Sequence, residues 1–219
     1  MKKILLLILV FVLVPNFVFA DANFINEAEA LNELGLFWGT DRGFELDSTF
    51  TRAQGATMIV RMMGKQDEAL DLDVKSGFED IDDVDHWSMP YVAYCAREGI
   101  TRGTSNTTFS PEQTMSMSEY ITLLLRALGY VNVNPDTAYI AAAEFGLLSS
   151  GRLRELEQSY YFTRGKMTYI SYNALKTKGA DGQTLIESLI VKGAVSEDIA
   201  RLQGLLATED FDLHEMTEF

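Results

Sequence analysis

The feature that most constrains the fold is an internal repeat. Residues 51–64 match residues 116–129 at a constant offset of 65, with a hydroxyl residue at the start and an Arg-x-x-Gly sequence at the end. The match continues upstream to Phe44 and Phe109 without a gap. A repeat unit of this size cannot bury its apolar face alone, so neighbouring units must pack against each other. The chain is therefore predicted to be an assembly of small repeated units.

A third and fainter copy contains Phe162-Thr163-Arg164, with Leu156 eight residues before the arginine, as Phe44 stands eight residues before Arg52. We predict a first unit, a second unit preceded by an acidic insert, and a degenerate third unit. The predicted divisions are 24–64 for the first unit, 65–130 for the insert and the second unit, 135–178 for the third unit, and 179–219 for short helices (184–191 and 197–206) and an acidic end.

The first residues have the features of a signal peptide for export. Two lysines precede an apolar run of eleven over residues 4–14, and Val18-Phe19-Ala20 fits the small-x-small cleavage rule. A run of this length is too short to span a bilayer, which needs about 20 apolar residues. We therefore expect residues 1–20 to be removed, so that the exported chain starts at Asp21 and has no membrane segment.

Each unit is predicted to consist of a helix, a glycine-rich loop and a second helix. In the second helices of the first two units, apolar residues recur at i, i+3, i+4 and i+7, the spacing of one helix face. These faces are Ala56, Ile59, Val60 and Met63 in the first unit and Ile121, Leu124, Leu125 and Leu128 in the second. The first helix of the second unit is predicted to start at Asp85 and stop at Gly99, with Cys95 buried on it. The predicted fold class is mainly α: a pseudo-threefold bundle of three helix-loop-helix units with short C-terminal helices.

Charge and composition argue against several classes of function. The chain has 32 Asp and Glu against 18 Lys and Arg, a net charge of −14 that becomes −16 once the two lysines of the signal peptide are removed. Such a surface repels a phosphate backbone, so nucleic-acid binding is not expected. One cysteine and two histidines leave little material for zinc or thiol chemistry, so we expect no metal site and no cofactor. The acidic run 80–83 lacks the ligand spacing of an EF-hand and is interpreted as a solvated loop with a helix cap.

The residues that begin each second helix are the best candidates for a binding site. The hydroxyl residue and the Gln54 or Glu119 three positions later form capping boxes, which fix the helix start. In the first and third units the next residue is Arg52 or Arg164, beside the N–H groups and the positive dipole end of a helix. A guanidinium at that place favours a carboxylate or phosphate. The alternative is that both arginines pair with acids on the protein surface.

The second unit has Met117 at the position of the arginine, and methionine offers neither charge nor donor. Arg102, in the preceding loop, is the candidate substitute. We therefore expect Arg52 and Arg164 to hold anionic groups, whereas the groove at Met117 is expected to be weak or idle.

The order of these motifs resembles the S-layer homology domain, a repeat usually found in threes on exported bacterial proteins. The second unit carries the closest set, which is Phe78-x-Asp80, Trp87, Gly99-Ile100-x-x-Gly103, Phe109-x-Pro111 and Ser116-Met117-Ser118-Glu119. The first unit carries Gly35-Leu36-x-x-Gly39 and Thr51-Arg52-Ala53-Gln54, and the third carries Phe162-Thr163-Arg164. The resemblance covers residues 24–178 and is strongest for the second unit and weakest for the third.

The resemblance implies a non-catalytic module that binds an anionic secondary cell-wall polysaccharide attached to peptidoglycan, often one bearing pyruvate ketals, in grooves between repeats. It implies a location in the cell wall or S-layer of a bacterium of the Gram-positive type. The residues expected to contact the polysaccharide are Arg52, Arg164, Arg102, Trp38, Trp87, Asp80, Gly39 and Gly103. The two tryptophans offer faces on which a sugar can stack, and burial in the core is the alternative for both.

Two other functions stay open at this point. One is an interaction module, in which degenerate repeats bind other S-layer proteins or further copies of the same chain. The other is a wall hydrolase with two carboxylates, although the repeats leave no room for a catalytic domain and no nucleophile motif is present in the sequence.

Overall fold

The structure is a computed structural model that describes residues 24–159 and 161–206. Within these ranges it contains eleven helices and no β-strand, so the predicted mainly α class is confirmed. The helices are α1 (Ile25–Glu33), α2 (Arg52–Met62), α3 (Gln66–Leu70), α4 (Glu79–Asp82), α5 (Met89–Arg97), α6 (Met117–Ala127), α7 (Ala138–Glu144), α8 (Ser150–Glu157), α9 (Arg164–Leu175), α10 (Leu185–Val191) and α11 (Glu197–Leu202). The predicted signal peptide and the acidic end after residue 206 lie outside the described residues.

The longest helices, α2, α6 and α9, begin in the same way. Each follows a hydroxyl residue with an extended backbone, whose side-chain oxygen accepts from the N–H three positions later. In α2 and α6 the Gln54 or Glu119 side chain returns a bond to the backbone N–H of the cap, so both predicted capping boxes are confirmed. Caps of this kind contribute about 1 kcal/mol each and fix where the first helical residue lies.

The predicted apolar faces form the core. Their residues are buried, apart from the half-buried Met63. Between them lie Phe50, Tyr120 and Phe162, one aromatic ring from each unit, with centroids 5.9, 5.2 and 5.7 Å apart. The Tyr120 hydroxyl is 2.6 Å from the Ser171 hydroxyl, so the polar end of this buried ring has a partner. A shared aromatic centre thus joins residues of all three predicted units in one core.

The units contact each other in a cyclic order. Helix α2 packs on α5, α6 on α7, and α9 on α1, so the second helix of each unit lies against a first helix of the next. Isolated β-bridges join Thr51 to Thr114 and Thr163 to Thr49. Because residues 49 and 114 are related by the repeat offset, the third unit meets the first as the first meets the second. We interpret these contacts as two junctions of a threefold arrangement.

The predicted start of the first helix in the second unit is wrong. Helix α5 begins at Met89 rather than at Asp85. Asp85 has a φ of 50°, which lies in the left-handed region, whereas residues of a right-handed α-helix have negative φ. Pro90 lies in the first turn of α5, where its missing N–H costs no helical hydrogen bond. The predicted end is confirmed, since Gly99 follows α5 with a φ of 68°.

The acidic run is also more ordered than predicted. Residues 79–82 form α4, and the Asp82 carboxylate accepts hydrogen bonds from Ser76 and from the Gly77 N–H. The Asp82 carboxylate therefore holds this segment together, whereas Asp83 is exposed as predicted. The third unit also differs from the prediction in one place. Helix α7 occupies the place of the predicted first helix, but helix α8 stands where a glycine-rich loop was predicted.

Cys95 is fully buried on α5, as predicted, with its sulfur 3.9 Å from the Ala56 carbonyl oxygen. Burial raises the pKa of its thiol to about 12, and only the thiolate reacts readily. We expect a maleimide to leave Cys95 unmodified in the folded protein at neutral pH and to modify it completely in denaturant, as measured by mass spectrometry. Rapid modification without denaturant would contradict this burial.

Candidate functional site

Arg52, the first residue of α2, lies at the junction between the first and second units. Its Nε donates to the Phe109 carbonyl (2.8 Å) and its Nη1 donates to Glu119 (2.7 Å). The guanidinium lies 4.9 Å from the centroid of the Phe109 ring, and the side chain is 5% exposed. Burial lowers the pKa of Arg52, and the neighbouring Glu119 carboxylate offsets part of that effect. A carboxylate of the protein itself therefore already pairs with Arg52.

The N–H groups at the starts of α2 and α9 are also in use. In both helices the first two N–H groups donate to carbonyls of the loop in the next unit, at 2.8 to 3.0 Å. The pairs are Arg52 to Gln113 and Ala53 to Pro111 in α2, and Arg164 to Ser48 and Gly165 to Leu46 in α9. The helix-start N–H groups that we expected to attract an anion are thus not available for one.

Arg164 repeats the geometry of Arg52 at the junction between the third and first units. Its Nε donates to the Phe44 carbonyl (2.9 Å), its Nη2 donates to the Trp38 carbonyl (3.3 Å), and it lies 5.0 Å from the centroid of the Phe37 ring. The position of Glu119 is taken by Gln54, and among the described residues no carboxylate pairs with Arg164. The side chain is half-buried; burial lowers its pKa, which Glu45 raises in part.

The junction between the second and third units is built differently. Met117 lines a cavity of about 340 Å³ there, together with Lys166, the third residue of α9. The Lys166 ammonium donates to the Ser159 hydroxyl and the Tyr161 carbonyl, at 2.6 Å each. The cation at this junction therefore comes from the following helix instead of from the start of α6. That the groove at Met117 is idle stays a prediction.

Trp38 is joined to Arg164 through its backbone, since the Trp38 carbonyl accepts from Nη2 of Arg164. The residue is 42% exposed, so the alternative that Trp38 belongs to the core is wrong. The Arg61 guanidinium lies 3.9 Å from the ring centroid, and Arg61 Nε donates to Gln66 (2.8 Å). Arg61 is a residue that our prediction of the site missed, although it begins the repeated Arg-x-x-Gly sequence. Two arginines thus contact Trp38, Arg61 at its ring and Arg164 at its backbone carbonyl.

The comparison with known families identifies the second unit. Residues 77–121, from just before α4 into α6, match the family model described as the S-layer homology domain. The chain contains an S-layer homology domain. This domain holds the most complete of the three motif sets, and its loop receives Arg52.

Curated relatives are surface proteins of bacteria. A cell surface protein of Thermoanaerobacter kivui is 28% identical over 186 residues, which cover 81% of this chain and 24% of that protein. A middle cell wall protein of Brevibacillus brevis is 30% identical over 135 residues, 59% of this chain and 13% of the relative. A cellulosome-anchoring protein of Acetivibrio thermocellus is 30% identical over 102 residues, 45% of this chain and 22% of the relative. The chain thus spans less than a quarter of each relative.

Asp80 organises the loop of the S-layer homology domain. Its two carboxylate oxygens accept from the N–H groups of Phe109 and Ser110, at 2.8 and 2.7 Å. Trp87 lies outside the core, 56% exposed, next to the His86 ring, and His86 is joined to Glu112 of the same loop. Asp80 therefore lies close to Arg52, and Trp87 is linked to the same loop through His86.

The remaining predicted site residues are Arg102, Gly39 and Gly103. Arg102 is exposed, and no contact in the described residues brings Arg102 to Met117. Its positive charge lies close to Arg126 instead, where it adds to the effect of burial in lowering the pKa of Arg126. A Cβ at Gly39 would lie 2.7 Å from the Gly43 carbonyl oxygen, so this glycine permits a close turn. Gly103 has the same function in its own loop.

No helix in residues 24–159 and 161–206 is long and apolar enough to cross a bilayer. In the same ranges no three His, Cys, Asp or Glu side chains are grouped so that they could hold a metal ion. The features that stand out at the junctions are arginines, aromatic rings and loop backbone.

Proposed function

We propose that this protein is a non-catalytic module that anchors to the bacterial cell wall by binding an anionic secondary cell-wall polysaccharide. The S-layer homology domain supports the anchoring role, and so do relatives that are named as surface, cell-wall and anchoring proteins. In this proposal the chain acts at the surface of a bacterium with a wall of the Gram-positive type.

The observation that carries the choice of ligand is the environment of Arg164. In a chain of net charge −14, this guanidinium has no carboxylate partner among the described residues, and it donates to the carbonyl of Trp38, an exposed residue. A cation joined to an exposed aromatic residue suits a sugar that carries an acid group, because the ring can stack on the sugar while the guanidinium pairs with the acid. A pyruvate ketal on the polymer supplies such an acid.

The test is a binding assay on purified wall sacculi, prepared with and without the attached polysaccharide. We expect Arg164→Gln to weaken binding to intact sacculi about tenfold, since a charge-assisted hydrogen bond is lost. Arg97→Gln is the matched control, because Arg97 is an exposed arginine of α5 that pairs with Glu68 and Glu98. Equal binding of the two variants, or equal binding to stripped sacculi, would refute the proposal.

A second candidate is an interaction module, and one surface favours it. Val131 and Ile140 are exposed beside the stacked rings of Tyr130 and Phe145, whose centroids are 3.8 Å apart. Together they line an apolar groove of about 490 Å³. If the chain binds stripped sacculi as well as intact ones, and Ile140→Glu abolishes that binding while Arg164→Gln does not, this candidate replaces the polysaccharide.

A further inference from the structure

The loops that receive the two arginines share their backbone geometry. Phe44 and Glu45 of the first unit correspond, at the repeat offset of 65, to Phe109 and Ser110 of the second. The carbonyls of Phe44 and Phe109 each accept from an arginine Nε, at 2.9 and 2.8 Å. Glu45 and Ser110 have φ values of 50° and 60°, and each carbonyl accepts from the N–H three positions later. The two loops therefore present their N–H groups in the same way.

One difference separates the loops. In the second unit the N–H groups of Phe109 and Ser110 donate to the two oxygens of Asp80. In the first unit, nothing in residues 24–159 or 161–206 accepts from the N–H groups of Phe44 and Glu45. The second unit thus shows, within the same chain, which group this pair of donors holds. It is a carboxylate, with one oxygen on each N–H.

The arginine at the second-unit loop also has more carboxylates of the protein close to it than the arginine at the first-unit loop has. Asp80 and Glu119 both lie in the field of Arg52. The carboxylate whose field reaches Arg164 belongs to Glu45, and it is already bound by Arg42 (2.7 Å) and the Thr40 hydroxyl (2.8 Å). The first-unit loop therefore combines two oriented N–H donors with a guanidinium that lacks an ion-pair partner in the described part of the chain.

We propose that the N–H groups of Phe44 and Glu45, together with Arg164, bind a carboxylate group of the ligand in the position that Asp80 takes in the second unit. The inference rests on the proposed function and deepens it, because it names the carboxylate as the recognised group and the loop backbone as its receptor. Two adjacent N–H donors match the two oxygens of a carboxylate, whereas a neutral sugar brings no charge to Arg164.

The probe is acetate, which carries the carboxylate and little else. We expect sodium acetate, added to the isotope-labelled protein, to shift the amide protons of Phe44 and Glu45 downfield with a saturating dependence on concentration. The amide protons of Phe109 and Ser110 stay in place, because Asp80 already occupies them. Acetamide is the neutral control of the same shape, and sodium chloride at equal ionic strength controls for screening.

Two variants sharpen the experiment. Arg164→Gln is expected to raise the acetate dissociation constant at least about threefold, because the charge-assisted contact is lost. Asp80→Ala exposes the second pair of donors, so acetate then shifts Phe109 and Ser110 as well. If Asp80→Ala is too unstable for a titration, acetate is expected to raise its Tm more than acetamide does, since a ligand that binds the native state stabilises it.

Unshifted amide protons of Phe44 and Glu45 would overturn the inference, and so would equal shifts with acetamide. Neither result depends on the wall polymer. Acetate binding at this loop without any binding to sacculi would refute the proposed function and leave the carboxylate site intact. Binding to sacculi that requires Arg164, combined with unshifted loop amides, would refute the carboxylate site alone.

Discussion

Replacing Arg52 by alanine is expected to lower the free energy of unfolding by about 2 to 4 kcal/mol, because it leaves a carboxylate without its buried cation. Glu119 and the Phe109 carbonyl both lose their donor, and the Phe109 ring loses the guanidinium beside it. Arg164→Ala is expected to cost about 1 kcal/mol, because no acid of the described chain depends on Arg164 as its ion-pair partner. Urea unfolding followed by circular dichroism measures both.

The pair Arg52 and Glu119 also offers a control within the chain. Glu119→Gln keeps the shape of the side chain and removes its charge, so Arg52→Ala is expected to cost less in that background than in the parent. An Arg52→Ala variant as stable as the parent would mean that the guanidinium is not buried in an ion pair. Arg52 would then be a candidate for the ligand contact that its position in the sequence predicts.

The helix starts show what the sequence alone could predict. Ser or Thr followed three residues later by Gln or Glu is a local signal, and Thr51 and Ser116 form the predicted caps. The apolar faces are local in the same sense, since their spacing depends only on the geometry of one helix. Both predictions are confirmed because no distant residue is needed to specify them.

The different environments of Arg52 and Arg164 could not be predicted in this way. Both occupy the first position of a capped helix, and their sequence neighbours suggest the same role. Their hydrogen-bond partners lie 57 and 67 residues away for Arg52, and 120 and 126 residues away for Arg164. What separates them is whether the third residue of the facing helix is Glu119 or Gln54. That comparison becomes possible only when the order of packing between units is known.

Asp85 shows how a local signal can mislead. Aspartate is a common helix cap, but here it adopts the left-handed backbone of a turn that precedes α5. The nearby Asp80 was predicted to lie in a solvated loop, yet it binds backbone groups about 30 residues further along the chain. A tertiary contact thus decides the role of each acid in this segment, and its composition alone could not reveal it.

Replacing Gly103 by alanine is expected to destabilise the S-layer homology domain by about 3 to 5 kcal/mol, the cost of a strained backbone together with a steric clash. Gly103 has a φ of 70°, and a Cβ there would lie 2.5 Å from the Thr108 carbonyl oxygen and 2.6 Å from the Phe78 ring. Gly99→Ala is the matched control, because Gly99 has a φ of 68° but nothing within 4 Å of its Cβ position. We expect the control to cost only about 1 to 2 kcal/mol, the strain without the clash. Equal losses of stability for the two variants in urea unfolding would show that the loop of Gly103 can shift to admit a side chain, and that this glycine is not fixed by packing.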